Sequence, residues 1–363
     1  MSELARAAIR KLRTGVVPTW ELARLSVGYD RIRLDLERSL DELGEQEHCG
    51  PMFVRGEWGT GKTHFLAYVR TAAARHWHAS ARIDLNARGM SLSHPQRFLS
   101  LIADSVQAGD QVGIQDVLHR LITITEVRQR VHEFSETIQA GDLGPAMRAL
   151  CSEFESCGAL GLANHAAWSV IRGADLSWSD DPSKRAKALS RIAALAGLCR
   201  AIGLKGLILI LDEAETIDQL WNVRSRLAAY AVLGQLFEMK SLWCVLGSTL
   251  RFDRTVQSDL SGGILADASV SADARRFLHG WKERSYRVVE PPMIDRGSAG
   301  ELAKAVSSLY QLAYALLPGD VEAVSARCVE DWMRNPVRNP RRLVRLLVHR
   351  LDAMRKLDPY EAT

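Results

Sequence analysis

The amino-acid sequence predicts an α/β fold with a central, mostly parallel sheet, a helical insertion and a helical C-terminal part. Three observations support this prediction. Short apolar runs of strand length recur along the chain, as in parallel strands that helices cover on both faces. A glycine-rich turn joins the first of these runs to a helical segment. Residues 107–200 show only helical spacing of apolar residues, with no convincing strand.

The length and composition fit a folded chain with more than one structural part. The chain has 363 residues, of which 47% are hydrophobic and 25% are charged, so disorder is not expected as its main state. This length accommodates two domains, or one large domain with an insertion. We place the first domain at residues 1–292, with the helical insertion at about 107–200, and a helical domain at residues 293–363.

The individual elements follow in order along the chain. Apolar residues at helical spacing predict that residues 1–50 are helical. The expected strands are residues 52–54, 81–85, 206–211, 242–246 and 286–289. The expected helices between them include residues 62–75, a helix that opens near Pro95, and residues 184–201. After two consecutive prolines at 291 and 292 the chain is expected to be helical again.

Composition also argues against several classes of protein. No apolar stretch approaches the ~20 residues that a membrane-spanning helix needs. The N-terminus carries Glu3 and lacks an apolar core, so a secretory signal is not expected. The six cysteines form no CxxC pair and indicate reduced thiols in the cytoplasm. The net charge of +4 is compatible with a nucleic-acid partner but does not point to one by itself.

Residues 56–63 read GEWGTGKT, which matches the phosphate-binding pattern GxxxxGK[ST] at every fixed position. Gly56 and Gly61 allow the backbone to wrap, so that successive N–H groups point at phosphate oxygens. A helix that begins near Lys62 adds its positive end. Lys62 can lie between the β- and γ-phosphates, and the Thr63 hydroxyl can ligate Mg2+. The candidate nucleotide-binding residues of this segment are Gly56, Glu57, Trp58, Gly59, Thr60, Gly61, Lys62, Thr63 and His64.

A second segment supplies acidic residues at the end of a buried strand. Residues 206–213 read GLILILDE, so Asp212 and Glu213 follow an apolar run. Ligands bind at the carboxyl edge of open α/β sheets, which is where these side chains are expected. Asp212 is predicted to hold Mg2+ directly or through water. Glu213 is predicted to orient and deprotonate the attacking water.

A third strand ends in polar residues. The expected strand 242–246 is followed by Gly247, Ser248 and Thr249. A hydroxyl here is expected to lie between the glycine-rich loop and the acidic pair, where it could hydrogen-bond the γ-phosphate or the water. Thr249 or Ser248 is the candidate, and a simple cap at the strand end is the alternative.

With these motifs in place, the sequence resembles the AAA+ ATPases, in the branch that includes origin-recognition and STAND-type proteins. Residues 27–31, VGYDR, are similar to the box that cradles the adenine in that family, with Tyr29 where an arginine is usual. Residues 338–341, RNPR, resemble the GxxR second sensor of the family's helical lid, with Arg338 in the glycine position. The resemblance implies ATP and Mg2+ as cofactors, nucleotide contacts from Gly28 and Tyr29, and a sensor at Arg341 or Arg342.

A closer resemblance covers most of the chain. The stretches LRTGVVPTWELARLSVGYDR, VRGEWGTGKTHF, GLKGLILILDEAETI and NPRRLVRLLVHRLD together are similar to the ATP-binding proteins of BREX phage-defence systems. This resemblance implies an ATPase that works in a bacterial anti-phage system, with other defence proteins and on or near DNA.

The AAA+ resemblance also implies a site shared between subunits of an ATP-dependent homo-oligomer. The arginine that one subunit lends to its neighbour is expected shortly before the strand 286–289. Arg284 is the first candidate, followed by Arg275 and Arg276. The C-terminal helix is basic, with an apolar stripe, and either its outer face contacts DNA phosphates without sequence preference or it is simply solvated.

Four functions remain to be weighed. The first is an ATP-hydrolysing protein that remodels or loads a partner on DNA. The second is a slow nucleotide-dependent switch that assembles partners as a scaffold. A helicase is disfavoured because 363 residues leave little room for two RecA-like domains beside the helical insertion. A small-molecule kinase is disfavoured because no acceptor-binding residues stand out.

Overall fold

The computed structural model describes residues 2–18, 22–85, 92–138, 141–157, 165–176, 181–220, 222–315, 318–335 and 338–356. The chain divides into two compact units. We call the first the helical unit, which comprises Met1–Leu34, Arg55–Val69 and Glu290–Thr363. We call the second the sheet unit, which comprises Asp35–Val54 and Arg70–Val289.

The described residues form a mixed α/β structure with many helices. The strands are β1 (Met52–Arg55), β2 (Ala79–Asp84), β3 (Gln107–Ala108), β4 (Gln111–Val112), β5 (Leu207–Asp212), β6 (Leu242–Ser248) and β7 (Arg287–Val289). The helices are α1 (Ser2–Thr14), α2 (Leu22–Leu25), α3 (Asp30–Gln46), α4 (Lys62–Arg75), α5 (Pro95–Ser105), α6 (Ile114–Leu121), α7 (Thr125–Thr137), α8 (Leu143–Cys157), α9 (His165–Arg172), α10 (Pro182–Ala201), α11 (Val223–Leu236), α12 (Leu250–Ser261), α13 (Ala272–Lys282), α14 (Arg296–Tyr314), α15 (Pro318–Met333) and α16 (Pro340–Lys356). Short 3-10 helices span Ala214–Gln219 and Ile264–Ala266.

The predicted central sheet is present and mostly parallel. Its seven strands run in the order β4-β3-β2-β5-β6-β1-β7. The pairs β2–β5, β5–β6 and β1–β7 are parallel. All five strands expected from the sequence are found, each within a few residues of its expected bounds. Every residue of β5 and β6 is buried, because apolar residues of these strands face helices on both sides of the sheet.

The helical insertion differs in one respect from the sequence prediction. Residues 107–200 were expected to contain no strand, but β3 and β4 form a small antiparallel hairpin at its start. Gly109 makes the turn with a positive φ of 59°. Two-residue strands are too short to show the alternation that identifies a strand, which explains the error. The remainder of the insertion consists of α6 to α10, together with the connections that the structure describes.

Helix α10 shows how local sequence sets an element boundary. The Asp181 side chain accepts a hydrogen bond from the backbone N–H of Ser183 at 2.8 Å, and Pro182 occupies the first helical position. Aspartate at the N-cap and proline at the first position both favour helix initiation. The helix therefore begins two residues before the expected start at Lys184.

The helical unit has a separate apolar core. Helix α1 packs against α14 and α16, and α14 also packs against α15. Ile9, Tyr310, Trp332 and Leu347 are among the buried side chains of this core. Residues 1–34 and 55–69 cluster with the C-terminal helices, whereas the division proposed from the sequence grouped them with the strands.

Within the described residues, no helix combines the length and the apolar character that crossing a bilayer would require.

Candidate nucleotide site

The glycine-rich loop follows β1 and leads into α4. Gly59 and Gly61 adopt φ values of 81° and 105°, in the region that favours glycine. Helix α4 begins at Lys62, and the backbone N–H of Phe65 donates to the Gly61 carbonyl at 2.8 Å. The loop therefore has the left-handed positions and the following helix N-terminus that anion-binding loops use.

The Lys62 ammonium is held inside this loop. The side chain is only 8% exposed, and Nζ donates to the carbonyls of Gly56 at 2.6 Å and Glu57 at 3.3 Å. The Thr60 hydroxyl donates to the same Glu57 carbonyl at 2.8 Å. Phosphate oxygens are acceptors of the same kind, so the ammonium can exchange a carbonyl for a phosphate without leaving the loop. Thr63, the predicted Mg2+ ligand, is the next residue and is half-buried.

Tyr29 and His64 form an aromatic cluster beside the loop. The buried Tyr29 ring meets His64, Phe65 and Tyr68 edge-on, with centroid distances of 5.8, 5.4 and 5.4 Å. The Ser26 hydroxyl hydrogen-bonds His64 Nε2 at 2.9 Å. Burial lowers the pKa of His64 to about 4 and raises the pKa of Tyr29, so both side chains are neutral near pH 7.

The turn that precedes Tyr29 depends on a glycine. Gly28 has a φ of 79°, and a Cβ at this position would lie 3.6 Å from the Pro292 side chain. The turn leads into α3, and the Arg33 N–H donates to the Tyr29 carbonyl at 2.8 Å. Tyr29, which stands where the AAA+ box usually has an arginine, is thus a packed side chain of the helical unit. Arg31, from the same box, lies where the structure describes only the backbone.

Asn339 contacts the loop, although the sequence analysis did not select it as a site residue. Its Nδ2 donates to the Trp58 carbonyl at 3.4 Å. A Cβ on Gly59 would come within 1.9 Å of the same nitrogen. Asn339 Oδ1 accepts from the Arg341 N–H at 2.9 Å, and its carbonyl accepts from Trp332 Nε1 at 2.9 Å. The only sequence signal for Asn339 was its place in the RNPR segment, whose arginines are the residues that resemble the family's second sensor.

Arg341 and Trp58 have exposed side chains. The ideal Cβ position of Gly15 lies 3.3 Å from Arg341 Cδ and Nε, so this arginine lies over the turn that ends α1. Trp58 is 66% exposed at the loop. Their predicted nucleotide contacts remain predictions.

In the sheet unit, Asp212 ends β5 and is paired with an arginine of the neighbouring strand. Arg82 Nη2 donates to Asp212 Oδ2 at 2.6 Å, and the Asp212 side chain is 5% exposed. The backbone N–H of Glu213 donates to the other carboxylate oxygen at 3.0 Å. Arg82 was not predicted as a site residue from the sequence. The available signal was an arginine two residues before the end of a strand, in an otherwise apolar pattern.

Glu213 adopts an uncommon backbone conformation. Its φ of 60° and ψ of 45° are left-handed, which costs a residue with a side chain roughly 1–2 kcal/mol. Such strain persists only where the surroundings impose it, and it clusters at functional sites. The residue stands directly after Asp212 and before the 3-10 helix Ala214–Gln219.

The order of the strands brings β6 between β1 and β5. Ser248 and Thr249 at its end are both buried, at 0% and 4% exposure. Thr249 is the N-cap of α12 but its side chain makes no capping hydrogen bond. The buried Ser248 hydroxyl has no hydrogen-bond partner among the described residues. An orphaned buried hydroxyl makes Ser248 as good a candidate as Thr249 for a polar contact with a ligand.

The three arginines considered for the neighbouring subunit differ in their contacts. Arg275 donates to the Asp267 carbonyl at 2.7 Å, and Arg276 pairs with Asp273 at 2.9 Å. Arg284 is exposed, has a φ of 54°, and shows no side-chain partner among the described residues.

The donor set suits Mg2+ with a nucleotide triphosphate. No group of three or more His, Cys, Asp or Glu residues that could hold a metal ion occurs in the described part of the chain. Mg2+ does not need one, because it is usually bound by one or two protein ligands together with waters and phosphate oxygens. Within the sheet unit, the orphaned Ser248 hydroxyl and the buried Asp212 carboxylate are oxygen donors of the kind that Mg2+ accepts.

Comparison with protein families gives an independent result. A family model described as "BREX system ATP-binding protein BrxC/D" matches residues 2–149 and 184–363. The unmatched interval falls inside the helical insertion. A search of curated proteins gave no match. Since nearly the whole chain is matched, and the loop and acidic strand lie within the matched residues, the chain belongs to the BREX system ATP-binding protein BrxC/D family and has an ATP-binding role in phage defence.

Proposed function

We propose that the protein is an AAA+ ATPase that binds Mg2+ and ATP and hydrolyses the bond between the β- and γ-phosphates, so that ADP and phosphate leave. The observation that carries this proposal is the Lys62 ammonium, which is enclosed in a loop that contains two glycines with positive φ. Lys62 is also the first residue of α4. The buried Asp212 carboxylate, followed by Glu213 at the end of β5, supports the hydrolytic part.

In this proposal the chain's residues divide the work. The loop N–H groups and Lys62 bind the β- and γ-phosphates, while Tyr29 lies on the adenine side. Thr63 and Asp212 are the protein ligands of Mg2+, which neutralises phosphate charge when it is bound. Glu213 orients a water and accepts its proton, and Ser248 or Thr249 hydrogen-bonds the γ-phosphate or this water.

Binding and turnover test the two halves separately. Lys62→Ala should weaken the binding of a fluorescent ATP analogue more than tenfold, because the phosphates lose their only enclosed cation among the described loop residues. Lys282→Ala, an exposed lysine on α13, is the control and should bind normally. Unchanged binding by Lys62→Ala would refute the loop assignment.

Glu213→Gln should retain analogue binding and lose turnover by about 100-fold or more, because glutamine cannot accept the proton of the water. Phosphate release is the measurement. A variant that hydrolyses ATP at the normal rate would remove Glu213 from the proposed mechanism.

A slow switch that scaffolds partner proteins is the second candidate. The observation that favours it is the Arg82–Asp212 ion pair, which occupies one oxygen of the proposed Mg2+ ligand. Steady-state ATP hydrolysis with and without DNA distinguishes the two: stimulated turnover supports the motor, and slow, DNA-independent turnover supports the switch.

We further propose that the site is completed by Arg284 of a second copy in an ATP-dependent homo-oligomer. Its exposed position and lack of a partner among the described residues support this assignment over Arg275 and Arg276. Arg284→Ala and Glu213→Gln should each be inactive alone, and mixing them should recover activity, because each supplies what the other lacks. No recovery in mixed oligomers would reject the assignment.

The cellular part of the proposal follows from the family. We propose that the protein acts in the cytoplasm with other BREX proteins, on or near DNA, and without a membrane partner. A BREX protein that co-purifies with the unmodified chain in the presence of ATP, but does not co-purify with Lys62→Ala, would support this role.

A further inference from the structure

A basic groove runs between α1 and α16 of the helical unit. It has a volume of about 560 Å3. Its lining consists of Arg13, Asn339, Arg341, Arg342, Arg345, Leu346, His349 and Asp352. These residues belong to the two helices and to the N-cap of α16, so the groove is a feature of one packed body.

The positive charge of the groove is not balanced by its own residues. Asp352 is the one acidic residue of the described lining, and both of its carboxylate oxygens accept from Arg13 at 2.7 Å. Asp352 also accepts from the buried Tyr310 hydroxyl at 2.7 Å. The side chains of Arg341, Arg342 and Arg345 show no acidic partner among the described residues, so three cations face the groove unopposed.

The spacing of these cations is unfavourable without a ligand. Arg341 and Arg345 are four residues apart on α16, so they share a helix face about 6 Å apart along the axis. Like charges at this spacing destabilise a helix. An anionic ligand that spans several of them would remove the repulsion.

The chemistry of the lining narrows the ligand. Arginine forks bind phosphate oxygens in a bidentate manner. Among the described lining residues Leu346 is the one aliphatic side chain, and none is a Phe, Tyr or Trp that would stack a base or anchor a protein partner. We propose that this groove binds the phosphate backbone of a nucleic acid, without reading its sequence.

The groove is also connected to the glycine-rich loop. Asn339 lines the groove, caps the N-terminus of α16 through Arg341, and donates to the Trp58 carbonyl of the loop. Nucleic acid in the groove therefore changes the affinity of the loop for ATP through Asn339. This coupling rests on the proposed ATP site, whereas binding in the groove does not.

Salt-dependent binding tests the groove. The measurement is the fluorescence anisotropy of a labelled 20-base-pair DNA, and of the corresponding single strand, titrated with the full chain without nucleotide. Arg342→Ala/Arg345→Ala should bind about tenfold more weakly at 50 mM salt and reduce the slope of log K against log salt by about 2. Arg345→Ala alone should reduce the slope by about 1. The ratio of the DNA affinity of the unmodified protein to that of this variant should therefore fall about threefold between 50 and 200 mM salt.

Arg327→Ala is the matched control, because Arg327 is an exposed arginine of α15 outside the groove lining and has no described partner. It should leave affinity and slope unchanged. A groove variant that binds DNA as this control does overturns the proposal. Binding of poly-glutamate to the groove under conditions where DNA does not bind also overturns it, because the partner would then be an acidic protein surface.

A last pair of measurements separates this proposal from the ATP site. Lys62→Ala should bind DNA normally, so a failed nucleotide site leaves the groove result intact. Saturating DNA should change the affinity for the ATP analogue, and Asn339→Ala should abolish that change while the DNA slope remains within one unit of the unmodified protein. An affinity for the analogue that DNA does not alter would refute the coupling.

Discussion

Replacing Arg82 by methionine gives a direct measure of the ion pair at the end of β5. The Asp212 side chain is 5% exposed and the Arg82 side chain 29%, so the pair is largely but not completely withdrawn from water. Removing one partner of a buried pair costs about 3–5 kcal/mol, because the other charge is left buried and unpaired. Asp212 keeps its bond from the Glu213 N–H, and water can reach the Arg82 side. We therefore expect Arg82→Met to lower the free energy of unfolding by about 2–3 kcal/mol.

The magnitude can be checked with a matched pair in the same unit. Arg172 and Asp104 are joined by two hydrogen bonds of 2.8 and 3.1 Å, but both side chains are 44% exposed. Arg172→Met should cost less than about 1 kcal/mol, because solvent screens exposed pairs. Urea unfolding followed by circular dichroism measures both variants.

A double-mutant cycle isolates the pair. Asp212→Asn removes the buried charge that loses its arginine in Arg82→Met, so the double variant should be more stable than the sum of the single effects by about 1–2 kcal/mol. Equal costs for Arg82→Met and Arg172→Met, or an additive cycle, would refute the reasoning.

The remaining predictions concern the helical unit, a glycine and the sheet core. Because burial lowers the pKa of folded His64 to about 4, the stability that its neutral form contributes is complete above pH 6.5 and falls by roughly 2–3 kcal/mol between pH 6.5 and 4. His64→Gln should reduce this pH dependence in urea unfolding, and a part remains because burial also lowers the pKa of His78 to about 4. Gly59→Ala should weaken ATP-analogue binding and change Trp58 fluorescence, since a Cβ would meet Asn339. Leu209→Ala in the buried β5 should cost about 2–5 kcal/mol in urea unfolding.

Each of these predictions has a control. His349→Gln alters an exposed histidine of α16 and should keep the pH dependence of the unmodified protein. Gly263→Ala has a similar φ of 77° with nothing within 4 Å of its Cβ, so it shows the cost of backbone strain alone. If Gly263→Ala weakened nucleotide binding as much as Gly59→Ala, steric contact with Asn339 would not be the cause. An undiminished stability of Leu209→Ala would contradict the packing of β5.

Sequence patterns were most informative where a single short segment contains the whole signal. The loop 56–63 and the apolar run before Asp212 could be recognised because glycine positions and strand hydrophobicity are local properties. The hairpin of β3 and β4 was missed because its strands are too short for a pattern. The contact between Gly59 and Asn339 joins positions almost 300 residues apart in the chain, and spacing along a sequence carries no information about such a pair.

By itself, the sequence determined the α/β class, the five longer strands, the glycine-rich loop and the acidic end of β5. These features depend on residue type and short-range periodicity, which the chain displays directly. The tertiary structure alone decided that Arg82 pairs with Asp212, that Ser248 is left without a partner among the described residues, and that α1 joins α16 to form a basic groove. Those facts depend on which strands and helices become neighbours, and burial and pairing are set only when they pack.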